Sequence, residues 1–130
     1  MKEVFDVIVS YFEAGRDQNT TKLKDIQLDD ESFGTFSDVP PFELQNFENN
    51  IIYQELRFAS LSDYNYKISN EKISIWGNVA LVTFNLKQTG MLVDNKTFSG
   101  TFVDINGRAT FVLVKKESWK ILHIHISNSV

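Results

Sequence analysis

The sequence predicts an α+β fold, with helices first and an antiparallel sheet after them. Three observations carry that prediction. The apolar period changes once along the chain, from helical spacing to alternation at about Asp63. Short turn signals, Gly77-Asn78 and Glu117-Ser118, separate the alternating runs at the length that joins neighbouring antiparallel strands. The chain has 130 residues, which suits one domain, 1–130, with helices packed on one face of the sheet.

The elements follow in order. From residue 2 to 15, Val4, Phe5, Ile8, Val9 and Phe12 fall on one helical stripe, and Gly15 stands where helices commonly end. A short second helix runs to about Ile26, with Thr20 or Thr21 as its cap, before Asp29-Asp30-Glu31 breaks the pattern. Ser32 to Ser37 reads as a brief strand carrying Phe33 and Phe36, and Asp38-Val39-Pro40-Pro41 punctuates it. A third helix is expected from Phe42 to Ala59, where Glu48 and Glu55 share the face of Leu44, Ile51, Ile52 and Phe58. Those carboxylates either flank the stripe and reach water or aim into a cavity. A four-strand meander then begins with Tyr64 to Trp76 and Val79 to Lys87. Thr97 to Lys116 makes one strand or two, depending on whether Asn106-Gly107 is a bulge or a turn, and the last strand starts at Trp119.

Composition narrows the function. A net charge of −4 and only two short basic clusters, Lys22–Lys24 and Lys115-Lys116, argue against a nucleic-acid partner, because phosphate binding is carried by clustered cations. The absence of cysteine excludes disulfides, zinc-thiolate sites and a thiol nucleophile. The mean hydropathy of −0.20 offers no membrane span, and no apolar signal run follows Met1. A cytoplasmic protein is expected, so the Asn-x-Thr triplets at Asn19 and Asn95 are chance matches.

Strand parity then groups the polar residues. Trp119, Ile121, His123, His125 and Ser127 share one side of the last strand, and Leu122, Ile124 and Ile126 the other. On the preceding strand Arg108, Thr110, Val112 and Val114 oppose Ala109, Phe111 and Leu113, so Arg108 can neighbour His125. His-x-His presents two imidazoles on one face, but a third metal ligand is missing, and neither a metal nor a cofactor is expected.

The runs Ile75-Trp-Gly77-Asn-Val79-Ala80, Gly107-Arg108-Ala-Thr110-Phe and Trp119-Lys-Ile-Leu-His-Ile-His125-Ile-Ser127 resemble the SnoaL-like branch of the nuclear transport factor 2-like superfamily. The resemblance implies a cone-shaped, strongly curved sheet wrapped around the N-terminal helices, with an internal pocket, usually in a homodimer. Its members include ketosteroid isomerase, polyketide cyclases, dehydratases and hydrolases, and also the association domain of calmodulin-dependent kinase II. In the family this Arg and this His line the cavity, matching the parity reading. The expected wall is Tyr11, Phe12, Phe33, Glu55, Trp76, Arg108, Thr110, Trp119 and His125. Arg108 is either an anion clamp or the partner of Glu48, Glu55 or Asp104. His125 is either a general acid or base or a core histidine satisfied by hydroxyls, and His123 packs under the sheet or at its end. Ketosteroid isomerase roles do not map onto any Asp here, so catalytic residues stay unassigned.

Two functions remain open. One is a lyase, isomerase or cyclase for a small hydrophobic acid or carbonyl compound, with Arg108 anchoring the anion and His125 or Glu55 moving a proton. The other is a non-catalytic ligand-binding or oligomerising domain. Both versions expect a homodimer through an outer sheet face of Phe111, Leu113, Leu122, Ile124 and Ile126.

Overall fold

The computed structural model describes residues 1–37, 42–94, 96–97 and 99–128, so the Asp38–Pro41 punctuation and Asn95 lie outside the described residues. The chain forms α1 (Lys2–Arg16), α2 (Thr20–Ile26), β1 (Gly34–Ser37), α3 (Phe47–Ala59), β2 (Leu61–Trp76), β3 (Val79–Asp94), β4 (Ser99–Lys115) and β5 (Trp119–Asn128). One curved five-stranded sheet, ordered β1-β5-β4-β3-β2, wraps around the helices. The fold class expected from the period change is the fold observed. None of the described helices is long and apolar enough to cross a membrane.

Several boundaries differ for physical reasons. Gly15 lies inside α1, against the Phe58 ring: a Cβ there would stand 2.2 Å from Phe58 Cζ, so this glycine serves a close helix contact rather than a helix end. The cap of α2 is Asn19, whose side-chain oxygen accepts from the Lys22 N–H, instead of either threonine. α3 begins at Phe47, five residues late. Gln45 exchanges backbone hydrogen bonds with Thr35 at 3.0 and 3.1 Å, which holds that segment extended, and Asn46 then caps the helix. The meander gains a fifth strand, because β1 pairs in parallel with β5, from Gly34 opposite His123 to Ser37 opposite Ile126.

Asn106-Gly107 interrupts nothing: β4 is one strand, and Gly107 lets Ser127 approach so closely that a Cβ would meet its carbonyl oxygen at 2.2 Å. Gly77 does form the expected two-residue turn, with φ +57. In β5 the pairing shifts register between Val112 and Leu113, so Leu122 is an extra, bulged residue. The bulge reverses the phase of alternation. Ile121 therefore faces the same way as Ile124 and Ile126, and not the same way as His123.

The larger correction concerns which face is covered. Phe111 and Leu113 are 0% exposed, and Ala109, Ile121, Ile124 and Ile126 are buried with them beneath the helices. The expected outer dimer face is thus mostly core. Parity sorts a strand into two sets without saying which set meets the helices, and here the uninterrupted apolar set does. Phe111 sits in an aromatic cluster, with ring centroids 5.5 Å from both Tyr11 and Phe84, and Phe12 stacks on Tyr66 at 5.0 Å.

Candidate functional site

A cavity of about 510 Å³ opens between α3 and the concave sheet face, at the end where β2 begins and β3 finishes. Each element contributes by its inward-facing positions. α3 presents Phe47, Asn50, Ile51, Gln54 and Phe58 toward the sheet, and the polar pair, one turn apart on that stripe, lies at the cavity floor. Tyr11 of α1 and Gln88 of β3 complete the buried polar floor, while Leu61, Leu92, Val103 and Ile105 form apolar wall. Leu56, Tyr53 and Leu92, all well exposed, stand at the mouth.

The floor is held by an amide network. Gln27, directly after α2, and Gln54 form a reciprocal pair: Gln27 Nε2 donates to Gln54 Oε1 at 2.8 Å, and Gln54 Nε2 donates back at 3.1 Å. Asn50 Nδ2 donates to Gln27 Oε1 at 2.9 Å, and Thr35 Oγ1 donates to Asn50 Oδ1 at 3.0 Å. Gln54 Nε2 also donates to the Tyr11 hydroxyl at 3.1 Å, and the Tyr64 hydroxyl donates to Gln88 Oε1 at 2.7 Å. Burial pushes the Tyr11 phenol up, against smaller opposing effects of the Arg57 charge and the Gln54 hydrogen bond. Burial does the same to Tyr64, so both phenols keep their protons at neutral pH.

Arg57, in the last turn of α3, lines the cavity and donates to the Ser37 hydroxyl. Among the described residues, the ion pairs engage Arg16, Lys87 and Lys120, and none engages Arg57. The cavity wall therefore carries a partly buried cation without a carboxylate partner among the described residues. Its described carboxylate is Glu43, exposed at the rim.

Of the expected wall residues, Tyr11 lines this cavity. Phe12 is sealed in the core, Phe33 packs on Phe47, and Trp119 rests against the core at the start of β5. Glu55 points to solvent, and Trp76 is 63% exposed at the hairpin. Arg108, Thr110 and His125 lie on the outer sheet face. There Thr110 pairs with His125, Arg108 borders a shallow polar cleft with Lys87, and His125 Nε2 is 3.3 Å from Ser127 Oγ. His123 shares that face, 6.2 Å from the Phe36 ring. Neither Arg108 nor its neighbouring histidine reaches the cavity, for the same reason that Phe111 does not reach the surface. Among the described residues no three of His, Asp and Glu gather as a metal site.

Sequence reasoning missed Arg57, Gln54, Asn50, Gln27 and Gln88. Asn50 and Gln54 carried a usable signal, since they fall on the Ile51–Phe58 stripe once the helix is started at Phe47. Gln27 and Gln88 carried none, because the side chains that hold them, Gln54 and Asn50 for the one and Tyr64 for the other, are remote in sequence.

A family model described as the SnoaL-like domain matches residues 4–130. The chain belongs to this SnoaL-like family. No curated protein matches it. Among solved structures, this SnoaL-like chain is similar to a nuclear transport factor 2-like superfamily protein of Salmonella enterica serovar Typhimurium. The TM-score is 0.84 at 20% identity, covering 99% of this chain and 90% of that one. It is also similar to a proposed dehydratase of the NTF2-like family from Streptomyces avermitilis, with TM-score 0.82, 15% identity and coverage of 99% and 95%. The CaMKII hub of S. rosetta gives 0.77 at 16%, covering 98% and 95%. At these identities the likeness establishes the fold alone. Within the SnoaL-like fold, what this member can bind rests on its own cavity: the Tyr11 phenol and side-chain amides at the floor and one guanidinium in the wall.

Proposed function

We propose that this SnoaL-like protein binds a small, mainly apolar molecule in the cavity beneath α3. The observation that carries the reading is the cavity itself, an apolar chamber over a buried polar floor, which is the usual form of a small-ligand site. The described floor groups hold protons instead of exchanging them near neutral pH, and this favours binding over turnover. In the enzymatic version, which the named dehydratase among the fold neighbours supports, rim Glu43 replaces His125 and Glu55 as proton acceptor. Val103→Trp, which fills the chamber from its wall, is expected to abolish the thermal stabilisation that a screened compound gives the native protein. A compound that stabilises both forms equally binds elsewhere and removes this reading.

We also propose a twofold dimer through the outer sheet face, with a corrected residue set. Trp76 opposite Val79, Val79 opposite Val114, and Leu81 opposite Val112 make an apolar strip across β2, β3 and β4. Light scattering should find a dimer at micromolar concentration, and a monomer for Val112→Lys. A native monomer would defeat the proposal.

A further inference from the structure

The hydrogen-bond chain behind the cavity floor has one fixed end, and that end sets the polarity of the Tyr11 hydroxyl. Gln27 donates to the main-chain carbonyl of Leu23 at 2.9 Å. A carbonyl only accepts, so the Gln27 atom facing it is the amide nitrogen, and the orientation of that side chain is settled. Its second amide hydrogen goes to Gln54 Oε1, which settles Gln54 in turn. Gln54 Nε2 then uses its two hydrogens on Gln27 Oε1 and on the Tyr11 oxygen. Because the Tyr11 oxygen accepts from Gln54, its own proton is left for the cavity it lines.

Gln88 reaches the same polarity by another route. Its Oε1 accepts from the Tyr64 hydroxyl at 2.7 Å, close to the commonest O–H···O length, so the amide N–H groups remain for the cavity. Arg57 adds a third donor, whose charge has no carboxylate partner among the described residues. The cavity thus offers a phenol, an amide and a guanidinium, all as donors.

We infer that the ligand is a carboxylic acid with an apolar tail, its carboxylate received by Tyr11, Gln88 and Arg57. A carboxylate has about four lone-pair sites and nothing to donate, so it satisfies three donors at once. An ammonium group would meet a like charge and three donors, and an alcohol would leave the guanidinium unneutralised. Leu61, Leu92, Val103 and Ile105 receive the tail.

This inference rests on the cavity being the binding site, and one titration experiment separates the two claims. Aryl and short alkyl carboxylic acids are titrated calorimetrically beside their matched primary alcohols and amines. The acids are expected to bind at least about tenfold tighter than the alcohols. In Arg57→Met that preference is expected to shrink to near unity while alcohol binding persists. Gln54→Glu presents an acceptor to Tyr11, takes up its proton and places a negative charge behind the floor, so the preference for acids is expected to invert toward amines. Equal binding of acids and alcohols to the native protein would overturn the carboxylate assignment and leave the cavity reading standing. An unchanged ranking in both variants would overturn it too. If no compound of any class binds, both claims fall.

Discussion

Phe111→Ala is expected to cost about 3–5 kcal/mol of folding stability, whereas Val112→Ala, the next residue on the same strand, costs about 1 kcal/mol or less. The difference follows from the side of the sheet each occupies. Phe111 is fully buried, with its ring packed on Tyr11, Phe84 and Phe12, so truncation leaves a void among aromatic neighbours that cannot close in. Val112 faces outward and is only partly buried. A domain of this size is stable by roughly 5–15 kcal/mol, so the first change removes a large share of it. Urea unfolding of the two variants decides the matter. Equal losses would mean that the inward face has been assigned wrongly.

Gln27→Leu is the second large effect, expected at about 2–4 kcal/mol with little change in buried volume. Its side chain meets Leu23 O, Gln54 and Asn50, and all of those groups are buried. Removing the centre of the network strands polar atoms that water cannot reach, and stranding them costs more than the original bonds contributed. The double variant Gln27→Leu/Gln54→Leu should cost distinctly less than the sum of the two single changes, since each deletion then removes a partner the other would have orphaned. Additive losses in a double-mutant cycle would show that the reciprocal amide pair contributes no coupling.

What could be read in advance was uneven, and the unevenness has a pattern. The α1 stripe of Val4, Ile8 and Phe12 was legible because helical spacing is local, and the Gly77 hairpin because a positive φ favours glycine. The start of α3 was not, because Gln45 is held extended by Thr35, a partner on another element. Arg108 and His125 were grouped correctly as neighbours on one face, and that face proved to be the outer one. The resemblance to the SnoaL-like family identified the fold, yet the residues carried over from it did not reach this cavity. Of the expected set, Tyr11 did, because its helix is held against Phe111 of the sheet.

The sequence by itself determined the element types, the order of helices before sheet, the hairpin turn and the family, since period, turn chemistry and motif spacing are properties of neighbouring residues. Tertiary structure alone decided which strand face is covered, that β1 joins β5 in parallel, and that Tyr11 and Gln88 each accept within the network behind the cavity floor. Alternation looks the same whichever face is buried, until helices cover one of them. An amide likewise has no fixed polarity until its partners are in place. Gln54 meets Gln27 across 27 residues of chain and Tyr11 across 43, separations over which no sequence period persists.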